Sequence, residues 1–252
     1  MSGHSKWSTI KHGKAIVDAR RAVVFTKLSK EIIIAARQGG GDPDMNFRLR
    51  LAVQKARDSN MPAVNIERAI KRGDGTDGSA DQMEELTYEG YGPGGTAILL
   101  QALTDNKNRT VSEVRSVFTK VGCNMADAGS VAWQFEQKGV VVVNAGEDEA
   151  DELTLAAIDA GADEIETVET TLHAYSAPEA MEGLRRTLAE SGVEIESSEL
   201  AMVPKNTIEL DEKTALQALR LLDQLEELDD IQKVFSNADF PDEALAEYAN
   251  SE

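Results

Sequence analysis

The hydrophobic period of the sequence changes once along the chain, and this change limits the folds open to it. Up to Gly73, apolar residues recur at spacings of three and four, which is typical of one face of a helix. From Leu86 onward, short alternating or fully apolar runs take turns with helical stretches. The sequence therefore predicts an α+β multidomain protein, with a helical domain first and α/β domains after it.

Three short-linked helices are predicted in the first part of the chain. They span residues 14–38, 43–59 and 64–72, after a polar arm at 1–13 and before a linker at 74–82. Leu28 and Ile32 lie on the inner face of the first helix, which three consecutive glycines should end. Asp42 followed by Pro43 suits the start of the second helix. These elements predict a three-helix domain with its linker at residues 1–82.

The remaining sequence predicts nine strands and four helices. The strands span 85–90, 96–103, 130–137, 139–145, 164–168, 171–175, 193–201, 207–210 and 232–237, and the helices span 108–121, 148–161, 178–192 and 211–228. Between 138 and 204 the order is β-α-β-β-α-β, the split βαβ unit of ferredoxin-like folds. The flanking pieces at 83–137 and 205–252 make a second such unit when they are joined. We therefore predict two ferredoxin-like α/β domains, with residues 138–204 inserted into the other.

Three local segments between residues 83 and 252 lead to specific predictions. In the strand at 130–137, Trp133 and Phe135 alternate with polar residues and are predicted to point inward. The glycine-rich segment at 90–95 precedes a strand and lacks a Lys-Ser/Thr pair, so it predicts a tight hairpin turn rather than a phosphate loop. The residues beyond Phe240 are acidic and are predicted to fray.

The net charge of the chain also changes sign near Gly73, where the hydrophobic period changes. Residues 1–73 carry 15 Lys and Arg against 6 Asp and Glu, a net charge of +9. The remainder carries 11 against 39, a net charge of −28, and the two sum to the −19 of the whole chain. An acidic protein that confines its positive charge to one end is suited to bind a polyanion with that end.

The sequence offers no recognisable catalytic or metal-binding motif. The single cysteine, Cys123, excludes an intrachain disulfide and favours a reducing compartment. The three histidines lack the spacing of a zinc site, and no nucleophile elbow is present. No apolar run approaches the ~20 residues of a membrane span, and the start lacks the apolar core of a secretory signal. These observations predict a cytoplasmic, non-enzymatic protein without cofactor, metal or membrane partner.

Nucleic-acid binding is therefore the predicted chemistry of the basic end. Cationic side chains on helices suit phosphate contacts, which fix position without reading sequence. Trp7 and His12 could stack on or hydrogen-bond a base, or Trp7 could instead pin the arm to the helical domain. The predicted contact residues are Lys6, Trp7, Lys11, His12, Lys14, Arg20, Arg21, Lys27, Lys30, Arg37, Arg48, Arg50, Lys55, Arg68, Lys71 and Arg72.

Three classes of function fit these observations. The basic helices could bind duplex DNA near promoters, or structured RNA on the ribosome. They could also meet an acidic protein in a pure interaction scaffold. Composition does not separate DNA from RNA. Duplex DNA would repel the acidic domains, which favours a ribosomal site where those domains can meet basic proteins.

A set of short segments gives the sequence a resemblance to the YebC/PmpR family. The segments are GHSKW at 3–7, IKH at 10–12, FTKL at 25–28, KEI at 30–32, GGGDP at 39–43, NMP at 60–62, RAIK at 68–71, YEGYGPGG at 88–95, TDN at 104–106, NRT at 108–110, GSV at 129–131, and LE at 225–226 with DDIQ at 229–232. Together they cover essentially the whole chain.

The resemblance implies a three-domain cytoplasmic protein with a helical N-terminal domain, two α/β domains and no enzymatic activity. Members of the family are described as DNA-binding transcriptional regulators. Others are mitochondrial translational activators of cytochrome c oxidase or resemble ribosome-associated translation factors. Two positions depart from the family pattern: Cys123 replaces a second glycine after Gly122, and Phe47 replaces a proline after Asn46. Neither touches the basic segments, and the family motifs do not fix the contact residues, which therefore rest on charge and placement.

Overall fold

The computed structural model of the chain describes residues 18–76, 83–145, 150–168 and 170–250. The predicted arm at 1–13 and most of the predicted linker lie outside these residues. Within them, three helices are followed by two units in which helices pack on antiparallel sheets. The α+β multidomain fold predicted from the sequence is confirmed.

The N-terminal helices pack around the middle of the first one. They are α1 (Asp18–Gly39), α2 (Phe47–Asp58) and α3 (Ala63–Gly73). The predicted inner face of α1 is buried, and so are all five residues at 32–36. This burial on every side arises because Met83 and Leu103 of the α/β part join α2 and α3 in the same core. The predicted glycine stop is confirmed, since Gly40 takes a φ of +88° just after α1.

The second helix begins at Phe47, later than predicted, because Asn46 caps it. The buried Asn46 side chain accepts a hydrogen bond from the Leu49 N–H at 3.1 Å. Its amide donates to two carbonyls near the end of α1, at 2.7 and 2.8 Å. The predicted cap at Asp42 is therefore wrong, and the Asn46 amide ties the start of α2 to the end of α1.

The remaining elements form two four-stranded antiparallel sheets and a short parallel pair. In chain order they are β1 (Glu84–Tyr91), β2 (Ala97–Thr104), α4 (Lys107–Lys120), β3 (Asn124–Ala126), β4 (Phe135–Asn144), α5 (Ala150–Asp159), β5 (Ala162–Val168), β6 (Thr171–Ser176), α6 (Met181–Glu190), β7 (Ile195–Pro204), β8 (Ile208–Glu209), α7 (Glu212–Glu226), β9 (Ile231–Ser236), β10 (Ala238–Asp239) and α8 (Asp242–Asn250). The sheet orders are β3-β1-β2-β9 and β5-β6-β4-β7, and β8 pairs with β10.

The first α/β unit consists of the sheet β3-β1-β2-β9 and the helices that pack on it. The predicted hairpin turn is confirmed, since β1 and β2 pair antiparallel across it. One face of β2, including Leu100, packs against Phe118 of α4 and Leu222 of α7. The other face, including Leu99, packs against Phe135 of β4. Both faces of β2 are therefore buried, which accounts for its continuous apolar run.

The second α/β unit is the sheet β5-β6-β4-β7 with α5 and α6. Its elements run β4-α5-β5-β6-α6-β7, and this sheet order is the split βαβ arrangement predicted from the sequence. Its strands lie in the sequence between β3 and β9 of the first unit. This interleaving supports our proposal that residues 138–204 are inserted into a domain formed by 83–137 and 205–252.

The strand predicted at 130–137 is wrong in its first half, where the chain forms a 3-10 turn before β4. The buried Glu89 carboxylate explains the turn, because it accepts hydrogen bonds from three backbone N–H groups of residues 129–132 at 2.6–2.9 Å. Trp133 therefore points outward with 66% of its surface exposed, whereas Phe135 is buried as predicted. The strand that completes the first sheet is β3, which the hydrophobic pattern does not predict.

Asp242–Asn250 form the helix α8, so for these residues the expectation that the segment beyond Phe240 frays is wrong. Ala244, Leu245 and Tyr248 are buried in the core of the first α/β unit, to which α7 also belongs. These three residues recur at helical spacing, so the apolar pattern of the segment indicates a helix although its composition is acidic.

Candidate nucleic-acid interface

One buried carboxylate joins the helical domain to the first α/β unit. The Asp230 side chain lies between α7 and β9 and is 1% exposed. The Lys30 ammonium of α1 is 2.5 Å from its Oδ1, and the Arg109 guanidinium of α4 is 2.8 Å from its Oδ2. The hydroxyls of Thr104 and Thr110 donate to the same Oδ2 at 3.1 and 2.7 Å. Asp230 thus holds α1, the end of β2 and α4 together.

The hydrogen bonds keep this carboxylate ionised. Burial alone would raise the pKa of Asp230, but the hydrogen bonds from Lys30, Arg109 and Thr110 lower it to about 2. Lys30 is predicted from the sequence to contact a nucleic-acid phosphate. In the structure it forms an ion pair with this carboxylate of its own chain instead.

Lys30 is one of five predicted contact residues that lie against the α/β part, and we call these five the docked cations. Their contacts are Lys27 to the Glu226 carbonyl, Lys30 to Asp230, Arg37 to the Met83 carbonyl at 2.9 Å, Arg48 to the Glu85 carboxylate, and Lys55 to the Glu199 carboxylate at 3.6 Å. They come from both α1 and α2. The structure thus brings these five side chains to acidic groups and carbonyls of the same chain.

Four other cations lie on the solvent side of α2 and α3, and we call them the outer cations. They are Arg50 and Arg57 of α2 and Arg68 and Lys71 of α3, and all four are exposed. The Arg50 guanidinium lies 5.7 Å from the centre of the Phe47 ring, which is itself 45% exposed. Arg57 is not among the predicted contact residues. Its spacing of seven residues from Arg50, two helical turns, is the signal that could have found it.

The other predicted contact residues lie toward the chain start or at the end of α3. Arg72 is exposed in the last turn of α3. Arg20 and Arg21 belong to the first turn of α1. The predicted contacts Lys6, Trp7, Lys11, His12 and Lys14 lie outside the described residues.

Among the described residues, Cys123 and His173 are chemically competent side chains that pack within the α/β units. Burial raises the pKa of the Cys123 thiol, which disfavours the reactive thiolate. His173 is buried in β6 with a ring nitrogen 3.3 Å from the Thr171 hydroxyl. Among the described residues, no group of three or more His, Cys, Asp and Glu is placed to hold a metal ion. In the same ranges, no helix combines the length and the apolar character needed to cross a bilayer.

Two family models match the chain in succession. The model of the TACO1/YebC protein N-terminal domain matches residues 5–76, and the model of the TACO1/YebC second and third domain matches residues 83–238. The first match covers the three helices. The second covers both sheets, and the break between the two falls within the predicted linker.

Similar proteins match over nearly their whole length. A probable transcriptional regulatory protein of Dehalococcoides mccartyi strain BAV1 is 55% identical over 248 residues, which cover 98% of each chain. A protein of the same name from Chloroflexus aurantiacus is 52% identical over 251 residues, covering 98% of this chain and 99% of the relative. The crystal structure of a conserved hypothetical protein from Aquifex aeolicus matches with a TM-score of 0.84 and 46% identity, over 92% of this chain and 96% of the other.

Proposed function

The chain belongs to the TACO1/YebC family, and from this premise we propose that it is a non-enzymatic, nucleic-acid-binding regulator of gene expression. Family membership confirms the resemblance that its sequence motifs carry. We propose further that it is a cytoplasmic transcriptional regulator that binds duplex DNA. Relatives named probable transcriptional regulatory proteins, at 55% and 52% identity, support this form of the proposal.

The observation that carries the proposal is the exposure of the outer cations on a chain whose net charge is −19. Arginine presents its N–H groups in a planar fork that matches phosphate oxygens. Arg50 and Arg57 are separated by two turns, about 10.5 Å along the axis of α2. They can therefore contact different phosphates, while Arg68 and Lys71 extend the positive charge onto α3.

The docked cations support this choice of surface. A phosphate contact from the middle of α1 would require Lys30 to leave the buried Asp230 carboxylate, and separating such a pair costs about 3–5 kcal/mol. A phosphate contact from the outer cations does not require a buried ion pair to separate. We therefore assign the phosphate contacts to the outer cations of α2 and α3.

A second candidate function is a translation factor that binds structured RNA on the ribosome. The observation in its favour is the net charge of −28 on residues 74–252, since their acidic groups are repelled by duplex DNA. A ribosomal site surrounds RNA with basic proteins, which can accept the acidic α/β units. The same outer cations serve in both forms of the proposal.

Titration of promoter DNA across a salt series, paired with co-sedimentation of the full chain with ribosomes, tests both forms. Four phosphate contacts should give log affinity a slope of about −3.6 against log salt on duplex DNA. Absent or salt-insensitive binding to both targets contradicts the proposed function and leaves a protein-interaction scaffold. Ribosome binding accompanied only by weak, sequence-blind DNA binding replaces the transcriptional form by the ribosomal one.

A further inference from the structure

Two large aromatic side chains are exposed side by side on the first α/β unit. Tyr91 at the end of β1 is 44% exposed, and Trp133 in the turn before β4 is 66% exposed. Both donate to a single acceptor, the Ser130 carbonyl, from Tyr91 Oη at 3.2 Å and from Trp133 Nε1 at 2.9 Å. Their O–H and N–H donors are thus occupied within the chain, and the largest surface that remains for a ligand is that of the apolar rings.

The turn that carries Trp133 is held rigidly. The Glu89 carboxylate accepts hydrogen bonds from the N–H groups of Gly129, Val131 and Ala132 at 2.7, 2.6 and 2.9 Å. Glu89 lies two residues before Tyr91 in β1, so one buried carboxylate positions the backbone behind both rings. Binding a planar ligand to such a pair costs little ordering entropy, because the rings are already in place.

A cation lies at the backbone of the same turn. The Lys205 ammonium donates to the Trp133 carbonyl at 3.0 Å. An ammonium has three donors, so two N–H groups remain beyond this bond. An aromatic surface next to a cation is the combination by which proteins bind single-stranded nucleic acid, since every base has a face to stack and every nucleotide has a phosphate.

We propose that Tyr91 and Trp133 form a stacking platform for an unpaired base of single-stranded nucleic acid, with Lys205 meeting the adjacent phosphate. This inference rests on the proposed function and adds a second contact to it, remote in sequence from the outer cations. A base in a continuous duplex has both faces covered by its neighbours. The platform therefore selects single-stranded or looped segments over paired ones.

A proline-rich peptide is the other class of partner that exposed aromatic pairs attract. An indole N–H that was open to the solvent could serve such a peptide by donating to one of its carbonyls. Here the Trp133 Nε1–H is already bound to the Ser130 carbonyl. The positive charge of Lys205 also has no counterpart in a neutral peptide. Both observations favour the nucleobase.

The test compares the affinity of the full chain for a labelled 12-nucleotide oligo(dT) with that for a 12-base-pair duplex, both measured by fluorescence anisotropy. Trp133→Ala should weaken binding of the single strand on the order of ten-fold and leave duplex binding unchanged, since stacking is lost. Trp133→Phe keeps a ring and should retain most of the affinity. Leu155→Ala removes an equally exposed apolar side chain from α5 and should change neither affinity.

The outcomes separate this inference from the proposed function. If Trp133→Ala binds the single strand as the unaltered chain does, or if the chain binds no single strand, the platform is overturned. Reversal of the outer cations should weaken both single-strand and duplex binding. If it weakens neither while Trp133→Ala weakens the single strand, the platform stands and the proposed function fails in its present form.

Fluorotryptophan NMR adds a direct readout at the ring. The chain has two tryptophans, so the ¹⁹F signal missing from Trp133→Phe identifies Trp133. Oligo(dT) should shift that signal saturably, with the same dissociation constant as the anisotropy titration. A Trp133 signal that moves with a polyproline peptide and stays unmoved with oligo(dT) assigns the platform to the peptide class and overturns the proposal.

Discussion

Lys30 and Asp230, which are 200 residues apart in the sequence, form an ion pair of 2.5 Å between α1 and the first α/β unit. The carboxylate is almost fully buried, whereas its second cationic partner, Arg109, remains partly exposed. The pair therefore connects these two parts of the chain at a largely buried site. Solvent reaches this site mainly beside Arg109. The contribution of Asp230 to the free energy of unfolding can be compared with that of the adjacent Asp229.

Asp230→Asn should lower the free energy of unfolding by about 3 kcal/mol, because Lys30 then stays near a buried site without its counter-charge. Urea denaturation of the full chain measures this change. The adjacent Asp229 offers a matched control, since its side chain is exposed and only its backbone carbonyl bonds Lys30. Asp229→Asn should stay within about 0.5 kcal/mol of the unaltered chain, and an equal loss in both variants would refute the assigned role.

Acid should weaken the same contact. The pKa of Asp230 is about 2 in the folded chain and about 3.9 when unfolded, so its contribution to stability is complete above pH 4. That contribution, about 2 kcal/mol, is lost as the pH falls from about 4 to about 2. Urea midpoints measured along this range should fall more steeply for the unaltered chain than for Asp230→Asn. Parallel pH profiles would show that Asp230 is not the group concerned.

Glu89→Gln should loosen the turn at residues 129–132. Burial raises the pKa of Glu89, but the backbone hydrogen bonds from this turn lower it, so the folded chain holds the ionised form. A neutral amide cannot accept all three N–H bonds, and we expect a loss of about 2 kcal/mol. Hydrogen exchange at these amides should accelerate. Glu136→Gln, at an exposed position, should leave that exchange unchanged.

Gly73→Ala should disturb the contact between α3 and α1. A Cβ at Gly73 would lie 2.7 Å from the Ala36 Cβ and would overlap the Ile33 carbonyl oxygen. Such overpacking costs about 1–3 kcal/mol, which thermal denaturation would report as a lower Tm. Gly183→Ala in α6 meets no atom within 4 Å and should raise stability by about 0.5–1 kcal/mol. A neutral Gly73→Ala would show that the two helices can move apart without cost.

Reversal of three outer cations tests the assigned interface. Arg57→Glu combined with Arg68→Glu and Lys71→Glu should weaken binding to DNA or to ribosomes. The slope of log affinity against log salt on duplex DNA should become less steep by about 1 for each lost phosphate contact. Arg220→Glu, an exposed cation of α7, serves as the matched control. The triple reversal changes the net charge by three times as much as the control, so an effect on log affinity only about three times that of the control would mean that only net charge matters.

The sequence predicts those elements whose stability is local. Helices α1 to α3 follow from apolar periodicity, and the second α/β unit follows from the order of its runs. The stop after α1 follows from glycine chemistry at Gly40. In contrast, the turn at 129–132 depends on Glu89, which is 40 residues away and whose three acceptor bonds leave no trace in the local pattern. The local pattern therefore predicts that Trp133 points inward, whereas the structure exposes it.

The candidate site also has one property that the sequence predicts and one that it does not. Its cationic character is visible in the composition of residues 1–73, but which cations remain exposed depends on contacts that form only in three dimensions. Lys30 and Arg50 look equivalent in the sequence, yet one lies against Asp230 and the other on the solvent side of α2. The periodicity of the sequence does not identify Asp230 as the partner of Lys30, because the two residues are 200 positions apart.

The long separation of Lys30 and Asp230 also sets an order of events during synthesis. At about 5–20 residues per second, the 200 residues between them take about 10–40 s to translate. The three N-terminal helices thus leave the ribosome well before the carboxylate that binds Lys30 has been made. For that interval every new copy carries its basic domain without the carboxylate that later pairs with Lys30, within reach of the ribosomal RNA of the ribosome that is making it.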